Sequence, residues 1–95
     1  MRMMMKVQSP TIDGNRAIKD KSIGRILESA MADLKPEATY FTCQNGKRTA
    51  IFFFDMKNSS EMPKMGERFF LDLNAEIEFT PCMNPEELKA GLMQI

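Results

Sequence analysis

The chain contains no histidine and no tryptophan, and it has only two cysteines among its 95 residues. Without histidine there is no His-based general acid or base, no Ser–His or Cys–His nucleophile pair, and no His-ligated zinc or haem site. Cys43 and Cys82 form no CxxC pattern and are too few for a metal site built from cysteine alone. The five glycines are isolated from one another, so there is no glycine-rich phosphate loop. We therefore expect no metal and no bound cofactor.

An excess of charge of either sign is also lacking, because 13 Lys and Arg residues balance 13 Asp and Glu residues. Nucleic-acid binding usually leaves a basic excess gathered into a patch, and the basic residues here are scattered singly. We expect neither a nucleic-acid partner nor attraction to an anionic membrane. No apolar run is long enough to span a bilayer, and Lys6 interrupts the apolar start before a secretory leader can form. These features predict a cytoplasmic protein with reduced thiols.

The length leaves room for one hydrophobic core, so residues 1–95 are predicted to form a single domain. Hydrophobic residues make up 43% of the chain and charged residues 27%, which is typical of a globular protein. Ten methionines are many for this length. Because methionine fills irregular gaps in cores well, we interpret them as packing residues.

The first third of the chain predicts a strand followed by one long helix. Met1–Gln8 alternates apolar and polar side chains, as a half-buried strand does. Asp13–Gly14 is typical of a turn. A helix is predicted from Asn15 to Leu34 because apolar residues recur at helical spacing, at Ile23, Ile26, Leu27, Ala30, Met31 and Leu34. Its first turns are expected to project past the core, and Gly24 is expected to mark a close approach to the sheet.

The middle of the chain predicts a β-hairpin. Glu37–Gln44 and Lys47–Met56 are rich in β-prone residues, and Asn45–Gly46 between them favours a two-residue type I′ turn. Such a turn places Gln44 opposite Lys47 and so fixes the register. One face of the hairpin then carries Phe41, Cys43, Ala50, Phe52 and Phe54, and the other carries Tyr40, Thr42, Thr49, Ile51, Phe53 and Asp55.

The last third predicts a helix, a strand and a short terminal helix. Asn58 begins a run of N-cap residues, and the left-handed conformation that asparagine tolerates allows Asn74 to end the helix. Glu76–Thr80 alternates like a half-buried strand. Asn84, Pro85 and Glu87 make a capping box, so a short helix is predicted over Pro85–Ala90.

This order of elements, β-α-β-β-α-β with a short C-terminal helix, predicts a ferredoxin-like α+β fold. Right-handed crossovers place both long helices on one face of a four-stranded antiparallel sheet with strand order 4-1-3-2. The other face, which we call the open sheet face, is expected to carry Arg2 and Lys6 beside Glu76 and Glu78. These charges can neutralise one another across the strands.

A group of apolar residues is expected to share the open sheet face with those charges: Met4, Tyr40, Ile51 and Phe53. A surface that is half apolar is poorly explained by exposure to water. It suits burial between two copies of the chain, so we expect a homodimer through the open sheet face.

The chain resembles the dimeric α/β-barrel group of ferredoxin-like proteins. The resemblance rests on the element order, on the open-face pattern, and on Ile77–Pro81 followed by Asn84–Leu88. Members of this group include small monooxygenases, isomerases, haem-handling enzymes and sensor modules. The resemblance therefore implies the fold and a dimer and leaves the activity open.

Several polar residues of the open sheet face are weak candidates for a site. Tyr40 and Asp55 could orient a ligand or move a proton, and Arg2 and Lys6 could hold an anion. Thr42 and Phe53 complete the candidate ligand-binding set. For all of them a structural role is the simpler interpretation, as packing residues, strand ends or a charge ladder. Cys43 is expected to be inert beneath the helices, whereas Cys82 beside Pro81 could be exposed.

Three functional hypotheses remain. The first is a homodimer without catalysis that binds a small ligand or serves a structural role through the open sheet face. The second is a cofactor-independent monooxygenase- or isomerase-like enzyme that uses Tyr40 and Asp55 in a cavity between sheet and dimer partner. The third is a subunit that binds another protein through the helix Pro85–Ala90.

Overall fold

The computed structural model describes all 95 residues, Met1–Ile95. Four strands form the sheet: β1 (Arg2–Gln8), β2 (Ala38–Gln44), β3 (Lys47–Asp55) and β4 (Glu76–Pro81). The four helices are α1 (Thr11–Lys19), α2 (Ser22–Leu34), α3 (Met62–Leu73) and α4 (Pro85–Leu92). A short 3₁₀ turn, Ser59–Glu61, leads into α3.

The fold is α+β with one four-stranded antiparallel sheet, as predicted, and is compatible with a ferredoxin-like arrangement. The strand order is β2-β3-β1-β4, which is the predicted order read from the opposite edge. Helices α1, α2 and α3 cover one face, and the apolar residues of the two central strands meet them there. Because side chains alternate along a strand, the remaining residues of β1 and β3 point to the open sheet face.

The core lies between the sheet and the three helices. Phe52 and Phe54 of β3 and Phe69 of α3 are fully buried, with the Phe52 and Phe69 rings 5.9 Å apart. Three methionines are also almost completely buried, namely Met3, Met5 and Met56. Full burial of a side chain of this size contributes about 1.5–3 kcal/mol. The packing interpretation is confirmed for these methionines but not for Met1, Met31, Met83 and Met93, which are exposed.

The hairpin forms in the predicted register. Gln44 pairs with Lys47, and Tyr40 pairs with Ile51. Asn45 and Gly46 have φ angles of 55° and 73°, the positive values that a type I′ turn requires at both positions. The turn residues therefore determine which face of the sheet each hairpin side chain occupies.

The prediction of one helix over 15–34 is wrong, because the chain forms two helices with a break at Asp20 and Lys21. Lys21 adopts a left-handed conformation with φ 64°. The Asp20 carboxylate accepts a hydrogen bond of 2.8 Å from the Ser22 N–H and so satisfies a donor at the start of α2. Hydrogen bonds from Ser22 lower the pKa of Asp20, and Arg16 lowers it further. The break lets α1 turn back and pack on the core.

Three other expectations in this region are also wrong. Asp13–Gly14 is not a turn but lies inside α1, and the first turns do not project into solvent, since Ala17 is fully buried. Gly24 makes no close approach, because nothing lies within 4 Å of the position that a Cβ there would take. The close approach occurs at Gly14 instead.

Cys43 is exposed rather than buried beneath the helices. Its side chain is on the helix side of the sheet, as predicted, but the helices do not extend over the edge strand β2. Phe41 on the same side is 61% exposed for the same reason, although its ring still meets Phe52 edge-on at 6.4 Å. Strand β2 is thus a sheet edge with side chains open to solvent on both faces.

The helix ends follow the predicted capping residues. Asn58 accepts a hydrogen bond of 2.8 Å from the Ser60 N–H, and Asn74 ends α3 with φ 49°. Asn84 and Glu87 form the predicted capping box, with both hydrogen bonds at 2.8 Å. Helix α4 continues to Leu92, two residues beyond the predicted end.

Helix α4 stands away from the rest of the domain. It has no buried residue, and the Arg2–Glu87 ion pair links it to the sheet. The radius of gyration is 14.8 Å, whereas a compact domain of this length has about 12 Å. None of the helices combines the length and the apolar composition needed to cross a membrane.

Candidate functional site

Cross-strand rows organise the open sheet face. Lys6 of β1, Ile51 of β3 and Tyr40 of β2 lie side by side in the central row. Two further rows flank it, Gln8–Thr49–Thr42 towards the hairpin turn and Met4–Phe53–Ala38 on the other side. The face therefore has an apolar centre next to a hydroxyl-rich row.

Three of the candidate ligand-binding residues lie together on this face. The Tyr40 ring meets the Phe53 ring edge-on, with centroids 6.5 Å apart. Thr42 follows Tyr40 by two residues on β2 and so points to the same face. Tyr40 is 62% exposed, so its ring and hydroxyl are available to another molecule.

The two basic candidates are already engaged in ion pairs. Lys6 Nζ lies 3.7 Å from a Glu78 carboxylate oxygen on β4, as the charge-ladder interpretation predicted. Arg2 instead binds Glu37 at 2.8 Å and Glu87 of α4. The expectation that Arg2 would pair with the β4 carboxylates is wrong, because the β1–β4 register places Glu78 opposite Lys6 and ends before Arg2. These cations are not free to hold an anion.

The Asp55 carboxylate is also engaged in ion pairs, and it lies far from Tyr40. Its carboxylate accepts hydrogen bonds of 2.7 Å from the Met1 ammonium and 2.9 Å from Lys57 Nζ. These contacts, the ammonium first, lower the pKa of Asp55 to about 2, and so weak a base is poorly matched to proton abstraction at neutral pH. Asp55 is four residues beyond Ile51, the residue opposite Tyr40, which is about 13 Å along β3. The two catalytic candidates therefore do not meet.

Cys82 is half-buried, and its N–H donates to the Arg2 carbonyl oxygen at 3.2 Å. This hydrogen bond extends the contact between β4 and β1 by one residue. Both cysteines are free thiols.

A second candidate site lies on the helix side of the sheet, where sequence reasoning placed none. A cavity of about 250 Å³ opens between α1, α2 and the β2–β3 hairpin. Its wall is apolar and is formed mainly by Ile18, Ile23, Leu27, Phe41, Phe69 and Leu73. Ala50 supplies the space, because this small residue occupies the inward position of β3 between Phe41 of β2 and Val7 of β1. We call this feature the Arg48 cavity.

Polar groups gather at one side of the Arg48 cavity. Arg48 is the only charged residue in its lining, and Ser9 is also there. A Cβ on Gly14 would lie 2.8 Å from Arg48 Nη1 and 3.1 Å from Ser9 Oγ. The absence of a side chain at Gly14 therefore lets the guanidinium and the hydroxyl converge beside α1.

One sequence signal could have revealed this site. Arg48, Ala50, Phe52 and Phe54 share the inward-facing parity of β3, so a charged residue stands in an otherwise apolar series. A charged residue at an inward position next to a small residue has two explanations. Either the helices leave that edge of the sheet uncovered, or a pocket with polar groups lies there. Arg48 was not included in the predicted apolar face of the hairpin, so the pattern did not mark it as a site residue.

Comparison of the chain with protein-family models, with curated proteins and with solved structures found no match. The resemblance to the dimeric α/β-barrel group therefore stays a prediction.

Proposed function

We propose that the protein is a homodimeric binding module without catalytic activity, whose subunits join through the open sheet face around a small ligand. One observation carries this proposal: the centre of the face is apolar while Arg2, Lys6 and Asp55 around it are already paired. Met4, Ile51 and Phe53 are half-buried, and Tyr40 beside them is exposed. Such a centre gains from contact with another apolar surface, and the paired charges oppose it little.

The area of the face sets a condition on this dimer. Four strands about 4.8 Å apart and seven residues long present roughly 440 Å². A standard interface buries about 800 Å² on each partner. The sheet therefore supplies about half of the required surface, so groups beyond the sheet have to supply the rest.

A binding role fits the polar groups better than catalysis does. The groups still free to contact a ligand are the hydroxyls of Tyr40 and Thr42, which can orient a polar atom. The enzyme hypothesis requires Tyr40 and Asp55 to contact one substrate. Asp55 lies about 13 Å along β3 from Ile51, the residue that pairs with Tyr40 on β2. The two free thiols suit a reducing compartment, so we propose that the protein works in the cytoplasm.

The test compares two glutamate substitutions of exposed apolar residues. Tyr40→Glu places a charge in the proposed interface, whereas Leu71→Glu places one on the outer side of α3, where Leu71 is 76% exposed. The mass in solution is measured by native mass spectrometry over a concentration series. Tyr40→Glu is expected to raise the dimer Kd by about thirtyfold or more, since tyrosine is a typical hot-spot residue. Leu71→Glu is expected to leave it unchanged.

A monomeric wild-type chain at all concentrations would overturn the proposal. So would a dimer that both variants keep with equal affinity. A small molecule that remains with the native dimer and is lost from Thr42→Val would place the ligand at the hydroxyl-rich row.

The exposed side of α4 favours a second candidate function, a subunit that binds another protein. Leu88 and Leu92 are 46% and 57% exposed, and no part of the chain covers them. A double Leu88→Glu, Leu92→Glu variant should keep the homodimer but lose a co-purifying protein that the full chain retains. Loss of the homodimer instead would assign α4 to the dimer interface.

A further inference from the structure

We propose that the Arg48 cavity binds a monocarboxylate with a compact apolar body, with the carboxylate on Arg48 and Ser9 and the body between α1, α2 and the hairpin. This site lies on the opposite side of the sheet from the proposed dimer interface. It is therefore independent of the homodimer and adds a ligand class to the protein.

The size of the cavity limits the apolar body. The volume is about 250 Å³. An apolar cavity of about 150 Å³ accepts benzene, so about ten non-hydrogen atoms fit here. The wall offers aliphatic and aromatic side chains from both layers of the fold, including Ile23 of α2, Phe41 of β2 and Phe69 of α3. Such a wall selects a hydrocarbon chain or a ring over a sugar or a nucleotide.

The charge at the rim selects the head group. Arg48 is the only charged lining residue, and no carboxylate lines the cavity. The Arg48 guanidinium donates no hydrogen bond and forms no ion pair within the chain, unlike Arg2, Arg16 and Arg68, which each contact an acidic side chain. A planar guanidinium binds a carboxylate through two parallel hydrogen bonds. The site thus combines an unpaired cation with an apolar pocket.

Ser9 provides independent support for a ligand. It is only 8% exposed, it lines the cavity, and its hydroxyl has no hydrogen-bond partner within the chain. The buried side-chain atoms without a partner are Ser22 Oγ and Arg68 Nε, so the Ser9 hydroxyl is accessible and can donate to a ligand oxygen. The Ser9 Oγ and Arg48 Nη1 atoms both lie within 3.1 Å of the position that a Cβ on Gly14 would take, so one carboxylate can contact both.

Titration with octanoate tests the proposal, because octanoate has ten non-hydrogen atoms and one carboxylate. Octanol serves as its uncharged counterpart, and 3-phenylpropionate serves as the aromatic one. Methyl NMR spectra of Ile18, Ile23, Leu27 and Leu73 report occupation of the cavity. Octanoate or 3-phenylpropionate is expected to shift these signals with a Kd between about 10 µM and 1 mM.

Two arginine variants identify the source of affinity. Arg48→Ala is expected to weaken carboxylate binding by about tenfold, since the lost contact is charge-assisted but partly exposed to solvent. It should leave octanol affinity unchanged. Arg25→Ala, on the exposed side of α2, is the matched control and should bind like the wild type. Circular dichroism confirms that both variants are folded.

Three results would overturn the proposal. The first is that neither acid shifts the four methyl signals at millimolar concentration. The second is that octanol and octanoate bind the wild type equally. The third is that the shifts appear at Tyr40 and Ile51 of the open sheet face instead, which would move the ligand to the proposed dimer interface.

Discussion

Arg68 of α3 forms an ion pair with Asp33 of α2 and so ties the two long helices together above the sheet. The Arg68 side chain is 14% exposed, which makes it one of the least accessible cations in the molecule. It also donates hydrogen bonds of 2.7 Å to Ser29 Oγ and to the Lys64 carbonyl oxygen. The hydrogen bond from Arg68 is the main reason why the pKa of Asp33 is below its ordinary value.

Arg68→Met should destabilise the domain, because it removes these contacts while keeping most of the apolar stem. Loss of the hydrogen bond to Ser29 alone costs about 1 kcal/mol. The ion-pair contribution is complete above pH 3.8, the ordinary pKa of Asp33, and disappears as the pH falls towards the lowered native value. Urea unfolding should therefore show a difference between variant and wild type that narrows in acid. A difference independent of pH would contradict the role of Asp33.

Asp55 should titrate with a pKa of about 2 in the native state. Because this value is lower than the ordinary 3.8, Asp55 stabilises the fold above pH 3.8 and loses that effect as the pH falls through about 2. Carbon-detected NMR of the Asp55 carboxyl measures the pKa directly. In Asp55→Asn the decline of stability over this acid range should be shallower, whereas Asp72→Asn, a change outside this ion-pair cluster, should follow the wild type.

Gly14→Ala should stabilise α1 while weakening the Arg48 cavity as a binding site. Alanine gains up to about 1 kcal/mol over glycine inside a helix. Its Cβ would lie 2.8 Å from Arg48 Nη1, and this flexible side-chain end can move away. We therefore expect a urea midpoint equal to or above that of the wild type, together with octanoate affinity reduced about as much as by Arg48→Ala. Unchanged affinity would show that the guanidinium need not stay near Gly14.

Hydrogen exchange should alternate along β2. A two-residue turn makes Gln44 and Lys47 exchange both hydrogen bonds, so the N–H groups of Gln44, Thr42 and Tyr40 point towards β3. Those of Cys43 and Phe41 point outward at the sheet edge, where no other strand pairs with them. Amide exchange measured by NMR should be fast at Phe41 and Cys43 and slow at Thr42. Slow exchange at all of them would indicate that a second copy extends the sheet at β2.

The contrast between the hairpin and α1 shows how far the sequence predicts this fold. The hairpin register follows from Asn45–Gly46, because few other residue pairs accept two positive φ angles. The break after α1 was not predicted, since neither Asp20 nor Lys21 is a strong helix breaker. It exists because the Asp20 carboxylate can cap α2 and because α1 gains burial at Ala17, and this second cause depends on tertiary contacts.

The two candidate sites also differ in how far the sequence predicts them. The row of Lys6, Ile51 and Tyr40 on the open sheet face follows from strand parity and register alone. The Arg48 cavity does not follow from strand parity and register. Its shape depends on the angle between α1 and the sheet and on how far the helices leave β2 uncovered. The ion pairs of Arg2 with Glu37 and Glu87 likewise depend on loop and helix positions that periodicity does not encode.

Removal of residues 85–95 should leave the stability of the domain almost unchanged. Helix α4 contributes no buried residue, and exposed ion pairs such as Arg2–Glu87 are worth about 0–1 kcal/mol. The truncated chain should therefore unfold within about 1 kcal/mol of the full chain in urea. Leu73→Ala is the reference for a packed helix, because Leu73 is only 3% exposed, and it should cost about 2–5 kcal/mol. If truncation of the dimeric protein costs as much as Leu73→Ala, then α4 is buried against the partner, and its exposed leucines belong to the interface.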